Sequence, residues 1–382
     1  MAKYDPIPSS HMFNAFDKDD CIIMACNTRT TAGVAKGIFR AAKDLDAPVI
    51  MELAKSECDL SGGYTGMTPQ DYGDLTRKIA KEVKFDLWAL HADHITVKKG
   101  DQEEMEKIKK LIDAQVKAGY TSYAIDASFL FNSAGKTAEE ELAKNISATT
   151  ELAKYIEEKM KGKGYGLEVE VGEIGKKNEH GRVLTTPEEA EAFIRKLNQN
   201  RVYPNGIAIA NGSAHGNTYD AQGCLIPQMS IDLQQTIKVG EALKKFSKVG
   251  IVQHGITGTP LDLIATKFPK QYIIKGNVGT NWQNLFYDAL MVYRPDLYAE
   301  IKEWTHQQYD EEAKKKGVKS EEEFLGKYIK GAFKPFRQKI EGLDRETLKA
   351  IEDLCYANSL LFFKAFSAIG KAELARKEMK NK

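Results

Sequence analysis

Eight short apolar runs punctuate the chain, and hydrophobic positions return at helical spacing in the longer stretches between them. The runs are Cys21–Asn27, Pro48–Leu53, Asp86–Asp93, Ser122–Ser128, Leu167–Gly172, Gly206–Gly212, Val249–Gly255 and Gln271–Val278. Mostly apolar runs of this length predict strands covered on both faces. In the helix predicted from Asp101, Met105, Ile108, Ile112 and Val116 share one side; Leu142, Ile146, Leu152, Ile156 and Met160 do so in the next. Thr68-Pro69 and Thr186-Pro187 each place an N-cap before a proline, whose missing N–H costs nothing at the first helical position. Thr186 with Glu189, and Thr137 with Glu140, have capping-box spacing. Strands alternating with helices imply a parallel sheet, and eight such units predict an α/β fold, the (β/α)8 TIM barrel, typically about 250 residues long. A doubly wound open sheet needs a glycine-rich turn after the first strand, which CIIMACNTRT lacks.

Past residue 294 the pattern changes to charged amphipathic helices, including Arg345–Lys380, and adds no further strand–helix unit. The expected organisation is a catalytic barrel domain, 1–294, and a C-terminal helical extension, 295–382, that packs on the barrel or at a subunit interface. Three loops that follow strands are long: Ala54–Gly66, Glu173–Thr185 and Gly216–Gln228. Long loops at a barrel mouth carry binding residues and lids.

Charge narrows the partners. The 55 basic and 54 acidic residues leave a formal net charge of +1 over 382 residues. No basic stripe with interleaved aromatics suggests nucleic-acid binding, and the lysine run Lys314–Lys316 reads as a solvated helix face. Five cysteines without a CxxC pair read as reduced thiols. No apolar run approaches the ~20 residues of a membrane span, and the first residues lack the form of a signal peptide. The expectation is a soluble, cytoplasmic protein with no membrane or nucleic-acid partner.

Three of the seven histidines fall at the ends of different strands: His94 in WALHADH, His215 in IAIANGSAH and His254 in GIVQH. In a parallel barrel those ends converge on one mouth. Three imidazoles with one position open form a catalytic metal site. Asp93 and His94 are neighbours, so both face inward only if the backbone leaves strand geometry there; Asp93 is then an acid/base facing substrate. The alternative is that His91 and Asp93 merely hydrogen-bond neighbouring strands. Glu168 and Glu170 alternate in the fifth strand, where buried carboxylates need partners. Glu170, nearer the mouth, is a candidate to bind or orient the metal, or else to pair with a lysine of a neighbouring strand. Asp126 reads equally as a metal-site partner and as a helix N-cap. Gly216, Gly255, Thr257, Thr259 and Thr280 gather glycines and hydroxyls beside the candidate ligands, as suits a phosphate after the seventh and eighth strands. A divalent metal beside a phosphate pocket suggests Lewis-acid chemistry on a phosphorylated carbonyl compound.

Together these motifs resemble the class II, metal-dependent fructose-bisphosphate and tagatose-bisphosphate aldolases, over roughly residues 20–290. The family's His-x-Asp-His is matched by His91, Asp93 and His94, and its EIELG by Glu168 to Gly172. Its N-x-HGxY is matched loosely by Ser213 to Gly216 with Tyr219, its HGGSG by His254 to Gly258, and its K-x-N-x-x-T by Lys275, Asn277 and Thr280. GGYTGMTPQDY and AIDAS are similar to the accessory subunits of tagatose-bisphosphate aldolase.

The resemblance implies zinc, or another divalent metal, on His94, His215 and His254, with Glu170 and Asp126 as alternate ligands. It implies Asp93 as the proton shuttle, Asn277 steadying the enediolate, and Gly216, Gly255, Thr257 and Thr280 holding the ketose phosphate. Asn27 joins the substrate-binding candidates, and a monovalent cation (Na+ or K+) is expected near the Gly216 loop. Glu179 is the nearest match to the family's lid glutamate, with Glu173 a weaker one. Arg337, in FKPFR, is the candidate for the distal phosphate. Gly279 stands where bisphosphate-specific members carry aspartate, and the serine after the second strand is replaced within ELAKSE. The implied activity is reversible cleavage of a ketose (bis)phosphate, such as fructose 1,6-bisphosphate, to dihydroxyacetone phosphate and an aldehyde such as glyceraldehyde 3-phosphate. The alternatives are a tagatose-bisphosphate aldolase or its non-catalytic accessory subunit, or a metal-dependent sugar-phosphate isomerase or epimerase. Relatives imply a homodimer or homotetramer.

Overall fold

A computed structural model describes residues 3–16, 19–173, 175, 177–178, 181–246 and 248–380. Eight strands close into one parallel barrel in sequence order. They are β1 (Ile23–Asn27), β2 (Val49–Ala54), β3 (Trp88–Thr96), β4 (Ser122–Asp126), β5 (Gly166–Glu170), β6 (Gly206–Ala208), β7 (Gly250–Gln253) and β8 (Ile273–Val278). β8 pairs with β1, Lys275 opposite Ile23, to complete the ring. Each strand overlaps one of the eight apolar runs, and β3 continues three residues past its run to Thr96. β6 is shorter than its run because the chain turns away to other partners: Ala210 O accepts from Thr185 N, and Ala210 N donates to Thr185 Oγ1.

The helices begin where their caps predict. Thr68 and Thr186 form reciprocal capping boxes with Asp71 and Glu189, each cap being worth about 1 kcal/mol. Thr137 caps Glu140 N, but the Glu140 carboxylate accepts from Lys136 N instead of the Thr137 backbone, so the predicted box there is half formed.

Both ends of the chain close over the barrel. The helix Ser9–Phe16 caps the floor, with Ser9 Oγ donating to Ser122 Oγ at 2.6 Å. The preceding segment is anchored by Ile7 N to Trp88 O at 2.8 Å. The long helix Arg345–Ala365 lies along Val34–Asp44 on the barrel wall. Their backbones touch at Gly37, where a Cβ would stand 2.3 Å from Glu352 O, so no larger residue fits without separating the helices. Phe362, Phe363 and Phe366 are buried in the same core as Ile22, Val278 and Trp282. A 3-10 turn, Ile329–Ala332, carries Lys330 from this C-terminal region back to the barrel mouth. No helix among the described residues is long and apolar enough to cross a membrane.

Candidate active site

The strand ends open on a cavity of about 570 Å3. Its construction depends on an irregularity in β3. The register between β3 and β4 shifts between Ala92 and Ile95, and His94 takes a left-handed conformation with φ +40°. Such a bulge breaks strand alternation, so that Asp93 and His94 both line the cavity. A left-handed non-glycine residue carries backbone strain, which concentrates at functional sites.

His94, His215 and His254 come together here, with ring centroids 4.5 to 6.1 Å apart. One nitrogen from each lies within 4.8 Å of the other two, close to what a shared ion requires. The hydrogen bonds distinguish the nitrogens. His94 Nδ1 donates toward Asp126 Oδ2 and Glu170 Oε2, both at 3.2 Å, while its Nε2 is buried and has no partner among the described residues. His254 Nε2 donates to Glu168 Oε1 at 3.0 Å, which leaves Nδ1. Burial works against charge on His94, but Asp93 and Glu170 outweigh it and hold its pKa above the ordinary imidazole value. The field at this point therefore favours a cation. Unpartnered imidazole nitrogens, outer carboxylates on the opposite nitrogens and a cation-seeking field together fit a divalent metal.

Asp93 sits between the two sides of the mouth. Asn27 Nδ2 donates to its Oδ2 at 3.1 Å and Asn277 Nδ2 to its Oδ1 at 3.3 Å. Burial opposes its charge, but His94 and Lys275 hold it well below the usual carboxylate range. Asp93 is therefore ionised at neutral pH.

On the β8–β1–β2 side the residues are cationic or hydroxylic. Arg29, two residues past β1, donates from Nε to Glu57 Oε1 at 2.9 Å and from Nη1 to Thr280 Oγ1 at 3.2 Å. Tyr64 donates to the same Glu57 oxygen at 2.7 Å. Lys330 stands over the Tyr64 ring, 5.8 Å from its centroid, with no carboxylate within ion-pair distance among the described residues. Lys55, after β2, adds a further cation on this side, while Lys98, after β3, stands over the Phe129 ring at 5.7 Å. Gly216, Gly255, Thr257 and Thr280 all line the cavity, with φ of +87° and +64° at the glycines. At Gly255 a Cβ would meet Ala214 O at 2.4 Å, so only glycine makes this turn. Thr259 instead accepts from Gln228 Nε2 and does not line the cavity.

Two candidates need comment. Arg337 lies apart from the main cavity: its guanidinium is taken by Gly66 O, Asp71 and Glu341 as a short helix begins. Glu179 lies outside the described residues; Glu173 lines the cavity. Sequence reasoning missed Arg29, Glu57 and Lys330. Arg29 and Glu57 follow strand ends, a position that would have flagged them; Lys330 has no such signal, because its turn reaches the mouth only through tertiary packing. Asp126 and Glu170 both lie beside His94; Asp126 Oδ1 also accepts from Ser128 N, but the 3-10 helix Ser128–Leu130 has Ala127 at its N-cap, so Asp126 is not the helix cap of the alternative reading.

Comparison with known proteins agrees with this geometry. The family model described as "Fructose-bisphosphate aldolase class-II" matches residues 8–341. A fructose-bisphosphate aldolase of Streptococcus pneumoniae is 28% identical over 272 residues, 70% of this chain and 77% of that protein. A D-tagatose-1,6-bisphosphate aldolase subunit GatZ of Escherichia coli is 36% identical over 86 residues, 21% of this chain and 20% of that one. The YdjI aldolase structure from Escherichia coli K12 superimposes with a TM-score of 0.59 at 17% identity, covering 96% of this chain and 99% of that one, a likeness of fold. With its barrel and nearly its whole length matched, this chain belongs to the class II fructose-bisphosphate aldolase family.

Proposed function

We propose that the protein is a metal-dependent aldolase that reversibly cleaves a ketose phosphate to dihydroxyacetone phosphate and an aldehyde. The observation that carries this reading is the arrangement of His94: Nδ1 held by two carboxylates, Nε2 buried and unpartnered among two further imidazoles. His94 through Nε2, His254 through Nδ1 and His215 would hold zinc or another divalent ion, with Glu170 and Asp126 as orienting or alternate ligands. When bound, the ion supplies Lewis-acid polarisation of the ketose carbonyl and stabilises the oxyanion that develops beside it.

The chain's own groups do the rest. The Asp93 carboxylate takes the proton of the hydroxyl on the far side of the bond that breaks, so that this carbon leaves as the aldehyde. Asn27 and Asn277 hold Asp93, and Asn277 would also donate to oxygen at the enediolate end. Gly216 and Gly255 offer backbone close to the phosphate, and Thr257 and Thr280 offer hydroxyls. Glu179 is the proposed proton donor to the dihydroxyacetone carbon. Arg29 and Lys330 take the role first given to Arg337, binding an anionic group at the aldehyde end; Lys275 forms no Schiff base. A monovalent cation near Gly216, a cytoplasmic location and a homodimer or homotetramer complete the proposal, as does the division into a barrel, 1–294, and a helical extension, 295–382.

The test is metal analysis of the purified protein joined to a panel of fructose-, tagatose- and related ketose phosphates. Cleavage should disappear with a chelator and return with Zn2+. Metal-independent cleavage with borohydride trapping on a lysine overturns the metal reading. Protein that alone shows neither metal nor turnover until mixed with a partner makes it a non-catalytic accessory subunit, the reading that the GatZ match supports. Isomerised products without carbon–carbon cleavage make it an isomerase or epimerase.

A further inference from the structure

Below the histidines, the middle of the barrel holds ions where apolar branched side chains usually pack. Glu52, His91, Glu168 and Lys275 are all at most 2% exposed. Glu168 spans two levels: Oε1 accepts from His254 Nε2 at 3.0 Å, and Oε2 accepts from Lys275 Nζ at 2.8 Å. Lys275 Nζ also lies 2.9 Å from Glu52 Oε2 and donates to His91 Nε2 at 3.2 Å. His91 Nδ1 donates to Ser122 Oγ at 2.6 Å, and Ser122 accepts from Ser9 on the floor helix. Contacts thus run unbroken from the mouth to the floor.

We propose that Glu168 and Lys275 are positioning residues for His254. Glu168 holds the proton on His254 Nε2, which turns Nδ1 toward the point shared by the three imidazoles, and Lys275 fixes Glu168 in turn. This rests on the reading of those histidines as metal ligands. The argument is one of orientation. An imidazole ligates only through its unprotonated nitrogen, and a carboxylate on the other nitrogen selects tautomer and ring angle together. Buried ions contribute little to stability beyond what apolar side chains of similar volume provide, so stability alone gives no reason for two carboxylates and an ammonium in a barrel core. Lys275 Nζ donates to Glu168 Oε2 and His91 Nε2 and pairs with Glu52 Oε2 at 2.9 Å, so its ammonium is ringed by buried partners. It holds no lone pair free for attack on a carbonyl, so positioning is the role left to it.

The experiment measures zinc affinity by competition with a chromophoric chelator, and the visible spectrum of the Co2+-loaded protein, for wild type and three variants. Glu168→Gln keeps the shape and removes the charge; it should bind zinc about 10- to 100-fold more weakly, with a shifted Co2+ spectrum. If that variant does not fold with Lys275 unpaired, Glu168→Gln/Lys275→Met removes both charges and should show the same loss. Glu52→Gln touches the same lysine but no proposed ligand, and should bind zinc like wild type. A folded Glu168 variant with wild-type zinc affinity and Co2+ spectrum overturns the proposal, as does an equal loss in Glu52→Gln. Wild-type protein that binds no zinc at these histidines overturns instead the metal reading beneath it.

Discussion

The two sides of the barrel mouth are built on different principles. The side formed by β3 to β7 carries imidazoles and carboxylates, and two of the imidazoles are locked by bonds beneath them: His94 by Asp126 and Glu170, His254 by Glu168. The side formed by β8, β1 and β2 carries Arg29, Thr280, Lys55 and Lys330, placed by loops and by a turn from the C-terminal region. The first is rigid and cation-seeking; the second is cationic and more adaptable. Sites on rigid elements hold geometry better than sites on loops. The contrast teaches where each property of the proposed reaction would reside: the metal chemistry with the strands, and the choice of aldehyde with what the loops and the C-terminal region bring over them.

The comparison can be broken at several points. The largest effect is expected from His94→Ala, which should remove both metal and turnover, a loss on the order of 10³-fold or more once preorganised charge at the oxyanion is gone; metal analysis beside a coupled cleavage assay reads both, and a metal-loaded variant sinks the assignment. Asp93→Ala should retain stoichiometric metal and lose about 10²- to 10⁴-fold in kcat, the range for general acid–base catalysis. Should the metal leave with it, Asp93 belongs to the ligand side and not between the two.

Lys330→Ala should raise KM for an aldehyde-end phosphate about 10-fold, as the loss of one charge-assisted bond implies, and leave metal affinity unchanged. A change in metal affinity would erase the division between the sides. Arg337→Ala should be the mildest, costing at most about 1 kcal/mol because its ion pairs are near the surface. Thermal denaturation and KM should both stay close to wild type; a rise in KM matching that of Lys330→Ala would return Arg337 to the substrate.

The barrel was legible because its signals are local. Each strand is a short apolar run and most of the helices announce their caps, so periodicity alone ordered eight units. The three histidines were legible for the same reason, since a position at a strand end in this fold is a position at the mouth. Other features depended on packing. The bulge at His94, which lets Asp93 share its cavity, arises in pairing with β4 and leaves no mark in HADH. The partners of Glu168 lie on β7 and β8, far along the chain.

What the sequence by itself determined is the order of strands and helices, the closure they favour and which residues stand at the mouth, because hydrophobic periodicity and capping act over a few residues. Only the tertiary structure decided which imidazole nitrogen is left open, which carboxylate holds it, and that Lys330 and not Arg337 reaches the cavity. Those choices depend on distances between segments tens to hundreds of residues apart, and a hydrogen bond is made or lost over less than an ångström.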